Sequence, residues 1–306
     1  MAALRHCKIN APNPPTGTFD RSPLRRSAIG ARSRGRHEGK RLGLRITTWN
    51  ANSVRLRETA LRRIVAEIRP DVLCLQEIKV EDDRFPAELC RSLGLQHLHV
   101  HGQKAYHGVA VLSKVPLAEC RTRWWCGIEH SRHALCTLPG GIELHNFYIP
   151  AGGDVPDPEL NPKFRHKLDM LTALTEEFGA RRNDGARMVL VGDLNVAPLE
   201  HDVWSHKQLL NVVSHTPVET EALLALQQAY GFVDAVRTVI PPDRKLYTWW
   251  SYRAQDWAAS DRGRRLDHVW LSPELAPSLV TAEVERAARG WEMPSDHVPV
   301  TVELAV

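Results

Sequence analysis

Several apolar segments of the chain run directly into acidic residues. Glu77 and Asp193 each follow an apolar run, Asp267 interrupts a third, and Asp296 and His297 lie in a short loop between two prolines. Strand ends hold side chains rigidly at the rim of a sheet, so catalytic and ligand-binding groups of α/β proteins collect there. The placement of these residues therefore predicts a functional site at a sheet rim.

The residues at these positions are carboxylates, amides and one imidazole. They comprise Asn50, Glu77, Asp193, Asn195, Asp267, Asp296 and His297. Such a set suits a hard, oxygen-seeking cation such as Mg²⁺ or Mn²⁺ and does not suit structural zinc. A metal ion, a carboxylate that activates water and a histidine supported by an aspartate are what phosphodiester hydrolysis requires.

Each residue also has a purely structural explanation. An Asp or Asn after a strand is commonly a helix N-cap or a turn residue, and Asn50 fits that role equally well. Glu77 is a poor turn former, so a surface ion pair is its alternative. A carboxylate at Asp267 that faced the core would need a partner. No GxxxxGK[ST] loop and no GxSxG motif occurs, which gives no basis for nucleotide binding or serine catalysis.

Strand-like and helix-like patterns alternate along the chain. Strands are predicted at Leu44 to Asn50, Val72 to Gln76, 107–113, 142–149, 187–192, 266–272 and 298–304. Helices are predicted at 56–68, 83–93, 162–179 and 219–230. This order predicts an α/β fold whose sheets are covered by helices.

Charge divides the chain into two parts. Residues 1–45 contain 11 Lys or Arg and 2 Asp or Glu, so the net charge of +4 depends on this segment. Residues 1–43 are rich in Arg, Pro, Ser and Gly, and we expect a disordered basic extension that precedes a catalytic domain at 44–306. The cysteines show no CxxC and no zinc spacing, which indicates reduced thiols. The longest apolar runs have the length of strands, so no membrane span is expected.

Six motifs occur in the same order as in a known family. They are Trp49-Asn50-x-Asn52-Ser53, Leu75-Gln76-Glu77-x-Lys79, Tyr148-x-Pro150, Gly192-Asp193-Leu194-Asn195-Val196-Ala197, Arg265-Leu266-Asp267 and Pro294-Ser295-Asp296-His297. Over residues 44–306 the chain resembles the exonuclease III branch of the endonuclease/exonuclease/phosphatase superfamily. The resemblance implies a DNase I-like four-layer sandwich, which consists of two packed mixed β-sheets flanked by helices.

The resemblance also implies roles for the residues at the strand ends. Metal ligands would come from Glu77, Asn50, Asp296, Asp193 and Asn195, with Mg²⁺ as the metal and Mn²⁺ as a substitute. Asp193 would activate the attacking water or assist the leaving group. His297, oriented by Asp267, would stabilise the developing oxyanion, while Asn195 and Tyr148 would hold the phosphate.

Substrate contacts are expected from a second set of residues. The branch accepts a flipped abasic sugar in an aromatic and apolar pocket. The matching positions are Trp249, Trp250 and Leu266, and ordinary core packing is the alternative for the two tryptophans. Trp291 would wedge against the duplex, which packing explains equally well, and Asn52 is a further expected DNA contact. Basic candidates for phosphate contacts are Lys163, Arg165, Lys167, Arg262, Arg264 and Arg265.

The chain departs from the usual pattern of the branch at three places. Ala151 follows Tyr148-x-Pro150 where an Asn or Gln is usual, His107 replaces an Asn before Gly108, and the segment 130–133 reads His-Ser-Arg-His. These changes leave the metal ligands intact. They place the balance between endonuclease and exonuclease activity in question.

The resemblance implies an apurinic/apyrimidinic endonuclease that cuts 5′ of abasic sites. The expected partner is double-stranded DNA with abasic or 3′-blocked sites, and the expected state is a monomer without membrane contact. Activities at 3′ ends would be those of a phosphodiesterase and a 3′→5′ exonuclease. The alternatives are a phosphoesterase for RNA, phosphoinositides or phospholipids, and an inactive nucleic-acid-binding regulator. A bacterial cytoplasm is the expected location, with an organelle as the alternative.

Overall fold

The computed structural model describes residues 43–306. The predicted disordered extension at 1–43 therefore lies outside the described residues, apart from Gly43. The strands are β1 (Leu44–Asn50), β2 (Val72–Gln76), β3 (His97–His101), β4 (Val109–Ser113), β5 (Ala118–Thr122), β6 (His133–Leu138), β7 (Ile142–Tyr148), β8 (Met188–Asp193), β9 (Val233–Asp234), β10 (Trp249–Trp250), β11 (Gly263–Arg264), β12 (Asp267–Leu271), β13 (Leu279–Val284) and β14 (Val300–Leu304). The helices are α1 (Glu58–Arg63), α2 (Ala87–Ser92), α3 (Pro162–Ala180), α4 (His206–Leu209), α5 (Pro217–Tyr230), α6 (Ala235–Val239) and α7 (Trp257–Ser260).

Two six-stranded sheets form the centre of the fold. The first has the order β13-β14-β1-β2-β4-β3, and the second has the order β5-β6-β7-β8-β12-β9. The pairs β1·β2 and β7·β8 are parallel, and the other neighbours in these sheets are antiparallel. Each sheet is therefore mixed.

The apolar residues of the central strands face two different layers. In β2, Val72 and Cys74 pack against residues of the second sheet, whereas Leu73 and Leu75 pack beneath α1. On the far side, α3 and α5 cover the second sheet through residues such as Leu171. Successive strand residues point to opposite faces, so a strand buried on both faces must be apolar throughout. The result is a helix–sheet–sheet–helix sandwich, and the predicted fold class is confirmed.

Local signals set the ends of the long helices. Asn161 accepts a hydrogen bond from the Lys163 backbone N–H at the start of α3 (3.0 Å), and Pro162 occupies the first turn. Gly231, with φ 95°, ends α5. The predicted helix at 56–68 is divided into a 3₁₀ turn at Val54–Arg57, α1, and a π-helical turn at Ile64–Ile68.

All seven predicted strands occur in the structure, with ends that differ by a few residues. The sequence prediction omitted β3, β5, β6, β9, β10, β11 and β13. Among these, β9, β10 and β11 have two residues each and β5 is an exposed edge strand, so they carry no clear alternation. The described cysteines are free. Among the helices of residues 43–306, none has the length and apolar character needed to cross a membrane.

Candidate active site

Strand polarity brings the predicted site residues to one rim of the sandwich. Asn50 ends β1, and Glu77 follows the parallel strand β2. In the second sheet, Asp193 ends β8 and pairs with Tyr148, the last residue of β7, and with Asp267, the first residue of β12. Because β12 runs antiparallel to β8, its first residue lies beside the last residue of β8. The rim therefore collects residues from both sheets.

Asp193 lies at the centre of this group and is fully buried. Its carboxylate accepts hydrogen bonds from Asn50 Nδ2 at 2.8 Å, from the Asn195 backbone N–H at 3.0 Å and from Asn195 Nδ2 at 3.1 Å. Asn195 Nδ2 also donates to the Ile149 carbonyl oxygen at 2.9 Å. Both amide hydrogens of Asn195 thus have protein acceptors, so in this arrangement Asn195 orients Asp193.

Gly192 permits this arrangement by a close approach of two backbones. Its φ is 140°, and a Cβ atom at this position would lie 1.9 Å from the Phe147 carbonyl oxygen in β7. No side chain fits there. Strand β7 therefore lies directly against Gly192.

His297 and Asp267 form a hydrogen-bonded pair beside Asp193. The His297 Nδ1–H donates to Asp267 Oδ2 at 2.8 Å, and His297 Nε2 lies 3.7 Å from Asp193 Oδ2. The Asp267 backbone N–H donates to Thr248 Oγ1 at 3.1 Å, which holds the carboxylate in place. The imidazole therefore presents its second nitrogen toward Asp193, an orientation suited to donating a hydrogen bond.

Burial and neighbouring charges change the pKa values of this pair strongly. Burial raises the pKa of Asp193 to about 7, and the charges of Asp267 and Glu77 add to that effect. Burial alone would lower the pKa of His297, but the carboxylates of Asp267 and Asp193 raise it to about 10. At neutral pH the site therefore holds an imidazolium next to a carboxyl group that is close to its own pKa.

Glu77 lies next to Asp193 on the first sheet. Its Oε1 accepts from Asn50 Nδ2 at 2.9 Å, and its Oε2 lies 2.8 Å from Lys79 Nζ. Burial would raise the pKa of Glu77, but the Lys79 charge and the hydrogen bonds from Asn50 and Lys79 lower it overall. Glu77 has φ 48°, which is unusual for a residue with a side chain. The chain thus turns the carboxylate, in its ionised form, toward the rim.

Asp296 completes the acidic group from the loop before β14. Its Oδ1 accepts from Asn52 Nδ2 and its Oδ2 from Trp249 Nε1, both at 2.9 Å. Ser295 Oγ donates to the Asn50 carbonyl oxygen at 2.7 Å and fixes the loop to the end of β1. Burial opposes ionisation of Asp296, but His297, Asn52 and Trp249 lower its pKa overall.

The donor set fits a hard cation. Glu77 and Asp296 line the cavity described below with ionised carboxylates, and the Lys79 ammonium group against Glu77 shows that this position is complementary to positive charge. The ligand atoms of Asp193, Asp267 and His297 lie within 4.8 Å of one another. Asp267 and His297 already bond each other, so Glu77 and Asp296, which line the cavity, suit a metal ion better than this group of three does.

A cavity of about 660 Å³ opens above these residues. Its polar side includes Glu77, Asn195, Asp296 and His297. Its apolar side includes Trp204, Leu209, Trp249 and Leu266. Arg264 also lines the cavity, and its guanidinium lies 5.3 Å from the centre of the Trp249 ring. A lining that combines apolar and aromatic side chains with charged ones suits a sugar-phosphate with no base attached.

Two of the predicted substrate contacts have other positions in the structure. Trp250 is 1% exposed, packs between Tyr247 and Trp257, and donates to Asp261 Oδ1 at 3.0 Å. Trp291 packs in the same core cluster with the Arg63 guanidinium over its ring. The prediction that Trp250 and Trp291 contact the substrate is corrected, because their rings form part of the core beneath α1.

The basic candidates also separate into different groups. Arg262 and Arg264 line the cavity, whereas Lys163 and Arg165 are exposed on α3 outside it, and Arg165 pairs with Glu159. Lys167 and Arg265 are buried in ion pairs with acidic residues, which corrects their prediction as phosphate contacts. A cation that is buried and already paired cannot reach a phosphate.

Three residues that contact the site, Arg132, Lys79 and Thr248, received no role from the sequence. Arg132 Nη1 donates to the Tyr148 carbonyl oxygen at 3.2 Å, and its guanidinium lies 4.9 Å from the Tyr148 ring centre. Arg132 Nη2 lies 3.4 Å from Nε2 of His107, which is one of the positions where the chain departs from the usual pattern of the exonuclease III branch. Lys79 and Thr248 position Glu77 and Asp267. Only Lys79 had a signal in the sequence, its spacing from Glu77, because the other contacts arise between distant segments.

Tyr148 is buried beside the two carboxylates, and burial together with Glu77 and Asp193 raises its pKa well above the ordinary value. Its hydroxyl therefore remains protonated over the range in which the other groups titrate. A protonated phenol can donate a hydrogen bond to an anion. Tyr148 thus has the chemistry expected of a residue that holds a phosphate oxygen.

Comparison with known sequences gives a consistent result. Residues 47–297 match the model of a family described as the Endonuclease/Exonuclease/phosphatase family. The chain is 29% identical over 271 residues to exodeoxyribonuclease III of Haemophilus influenzae, with 85% of this chain and 99% of the relative covered. It is 30% identical over 278 residues to the DNA repair nuclease APEX1 of Danio rerio, with 88% and 84% covered.

Solved structures with the same fold include two with similar sequences. An AP endonuclease from Archaeoglobus fulgidus superposes with a TM-score of 0.79 at 30% identity, with 86% of this chain and 100% of that chain covered. The 3′ phosphatase NExo from Neisseria, bound to a product DNA hairpin, superposes with a TM-score of 0.79 at 32% identity, with 85% and 99% covered. The similarity extends over nearly the full length of both relatives.

Proposed function

This chain belongs to the endonuclease/exonuclease/phosphatase family, and we propose that it is a DNA-repair nuclease that cuts double-stranded DNA 5′ of abasic sites. We further propose 3′-phosphodiesterase and 3′→5′ exonuclease activity at strand ends. The observation that carries the proposal is the position of the His297 imidazolium, 3.7 Å from Asp193, below a cavity with an apolar wall. Relatives named exodeoxyribonuclease III and DNA repair nuclease support the choice of DNA.

The chain's own residues accept the proton and stabilise the developing charge. Asp193, with a pKa near 7, accepts a proton from the attacking water as the water oxygen bonds to phosphorus and the bond from phosphorus to the 3′ oxygen breaks. The departing 3′ oxygen takes up a proton from solvent. The imidazolium of His297 donates a hydrogen bond to the phosphoryl oxygen on which charge develops, and Asp267 keeps it protonated and oriented. Tyr148 donates a further hydrogen bond to the phosphate, and Asn195 holds Asp193 in position.

We propose Mg²⁺ as the metal, with Mn²⁺ as a substitute. Glu77 and Asp296 would hold it, with Asn50, Asp193 and Asn195 next to it. When bound, the metal neutralises charge on the phosphoryl oxygens. The Asn50 amide nitrogen faces both Glu77 and Asp193 in this structure, while its oxygen accepts from the Asn52 N–H at 2.9 Å. Asn50 therefore acts as a spacer between two carboxylates in this arrangement.

A duplex with one abasic-site analogue tests the proposal. The protein is incubated with this duplex in Mg²⁺ or in chelator, and the products are separated by length. We expect incision directly 5′ of the analogue in the reaction with Mg²⁺ and no incision in the reaction with chelator. An undamaged duplex of the same sequence is the control. If the abasic duplex remains whole while an RNA, phosphoinositide or sphingomyelin substrate is hydrolysed, the DNA assignment is wrong. Binding without hydrolysis of any substrate would identify an inactive regulator.

A second candidate is that 3′-end processing is the main activity. Ala151 lines the cavity, where the branch usually places an amide that can hold a phosphate. Loss of that contact weakens binding to an uninterrupted strand more than binding to a strand end, whose terminal phosphate carries additional charge. Comparing kcat/KM for an internal abasic site with kcat/KM for a 3′-phosphate end decides between the two candidates.

We also propose that residues 44–306 form a self-sufficient, monomeric catalytic domain in a bacterial cytoplasm. Every residue assigned to the reaction lies within this range. Deletion of residues 1–43 is expected to leave incision at low salt unchanged, because the extension contributes charge and no catalytic group. The full-length chain under the same conditions is the control, and a collapse of activity in the shortened chain would make the extension part of the enzyme.

A further inference from the structure

Lys167 is a fully buried lysine in the second turn of α3. Its ammonium group pairs with the carboxylate of Glu219, which is also fully buried. The same ammonium donates to the Asn195 carbonyl oxygen at 2.8 Å and to the Ala151 carbonyl oxygen at 3.3 Å. Lys167 thus uses its three N–H donors on three different segments, two of which line the cavity.

Glu219 performs the corresponding function from α5. Its carboxylate accepts from the Ser214 backbone N–H at 2.9 and 3.0 Å, from the Thr216 backbone N–H at 3.2 Å and from Thr216 Oγ1 at 2.6 Å. Ser214 also lines the cavity, and its hydroxyl accepts from Arg264 Nη1 at 2.7 Å. The pair therefore connects α3 and α5 to three segments at the cavity: residues 151–153, 195–197 and 213–216.

The contact between the loop at 151–153 and Lys167 is close. Gly152 has φ 89°, and a Cβ atom there would lie 3.1 Å from Lys167 Cδ and 3.0 Å from Val213 Cγ1. The loop consequently lies directly on the lysine stem. A small displacement of Lys167 would be transmitted to Ala151 and to the Asn195 loop, since closely packed groups have no free space to absorb it.

A buried ion pair is a costly way to join two helices, because both charges lose their hydration. Burial lowers the pKa of Lys167, while Glu219 opposes that change. An apolar pair of similar volume would join α3 and α5 at lower cost but could not bond the carbonyl groups of Asn195 and Ala151. We propose that Lys167 and Glu219 are positioning residues that hold Asn195, and through it Asp193, in the geometry needed for hydrolysis.

This inference rests on the proposed function, in which Asn195 orients Asp193. The principal variant is the double substitution Lys167→Met and Glu219→Gln, which leaves neither charge uncompensated and keeps both volumes. Its kcat on the abasic duplex is compared with that of the wild type, of Asn195→Ala and of the combination of all three substitutions. Leu174→Ala, which removes a buried contact elsewhere on α3, is the control for lost stability.

The double variant is expected to lose roughly 10- to 100-fold in kcat, with a smaller change in KM, because the reacting groups are displaced while the cavity wall remains. The Asn195→Ala background loses the side-chain amide on Asp193 but keeps the backbone N–H on it, so there the same two substitutions are expected to cause a smaller loss than in the wild type. Leu174→Ala is expected to unfold at a lower temperature and to keep wild-type kcat when folded. Wild-type kcat in the double variant, or losses that add fully to that of Asn195→Ala, would overturn the inference.

Hydrogen exchange gives a readout that needs no substrate. In the double variant, faster amide exchange is expected at 151–153, 195–197 and 213–216, and unchanged exchange in the middle of α3 and α5. Faster exchange throughout both helices would show general destabilisation and contradict a positioning role. If the wild type does not cut the abasic duplex, the proposed function fails, and the exchange pattern still decides whether this pair holds the three segments.

Discussion

Two buried histidines next to Asp267 differ in protonation: His268 follows it in β12, and His297 is hydrogen-bonded to it. His268 accepts from Arg265 Nη2 at 2.7 Å and donates its Nε2–H to the Val196 carbonyl oxygen at 2.8 Å. Burial and the Arg265 charge lower the pKa of His268 to about 3. His297 instead donates to Asp267, and its pKa is raised to about 10. At neutral pH the His268 ring is thus neutral and the His297 ring is charged, although both are buried.

The difference follows from the balance of charge around each ring. Near His268, Asp202 and Asp234 are matched by Arg237 and Arg265 in one buried network. Near His297, the acids Asp193, Asp267, Asp296 and Glu77 outnumber the nearby cations. In the network near His268 the charges balance, so it needs no further cation and stabilises the fold. Carboxylates in excess at a cavity attract a metal ion and keep a neighbouring imidazole protonated.

The strongest test of this contrast removes a group from the acidic cluster. Asp193→Asn or His297→Ala is expected to lower kcat on the abasic duplex by about 1,000-fold or more, because in the proposed reaction Asp193 accepts the proton of water and His297 stabilises the developing charge. Duplex affinity, measured by fluorescence anisotropy, is expected to change little. Near-wild-type cleavage by either variant would contradict the assignment of the reaction to this cluster.

A substitution in the balanced network should act on stability instead. Arg265 is 1% exposed, so Arg265→Met leaves Asp234 without its partner and is expected to cost about 3–5 kcal/mol of unfolding free energy. Chemical denaturation measures the loss. Arg91→Met, which removes a solvent-exposed ion pair with Glu88, is the control and is expected to cost about 1 kcal/mol or less. Equal losses in both variants would show that the buried network has no special role.

The pH dependence of activity distinguishes the two histidines directly. Activity should rise as Asp193 ionises near pH 7 and fall as His297 deprotonates near pH 10. Asp267→Asn removes a negative charge that favours the imidazolium, so the alkaline fall should move to lower pH, with kcat reduced by roughly 10- to 100-fold. Profiles of kcat/KM against pH measure both the rise near pH 7 (the acid limb) and the fall near pH 10 (the alkaline limb). An alkaline limb that does not move would exclude His297 as its origin.

The smallest effect is expected at His268. His268→Gln removes a neutral ring and one or two hydrogen bonds, so a loss of about 1–2 kcal/mol of stability is expected with no change in the pH profile. The measurement repeats the kcat/KM profile beside a thermal unfolding curve. A displaced limb in this variant would mean that His268 titrates in the folded protein, and the contrast with His297 would fail.

Much of this arrangement could be read from the sequence. The apolar runs before Glu77 and Asp193 identified strands that end in acids, and the motif order identified a family and its fold. These features are local, since a strand buried on both faces is apolar along its length and its end is visible where polar residues begin. The sequence did not reveal the short and exposed strands, because they carry no continuous apolar run.

Adjacent residues show what the tertiary structure alone decided. Trp249 and Trp250 are neighbours, but Trp249 lines the cavity and Trp250 lies in the core; Arg264 and Arg265 divide in the same way. Alternation along a strand places neighbours on opposite faces without stating which face meets the substrate. Lys167, basic in the sequence, becomes a buried link between α3, α5 and the Asn195 loop.

The sequence by itself determined the chemical groups and the strands that carry them. Packing of the two sheets and their helices decided which charges remain uncompensated, because the partners that neutralise a charge come from distant parts of the chain.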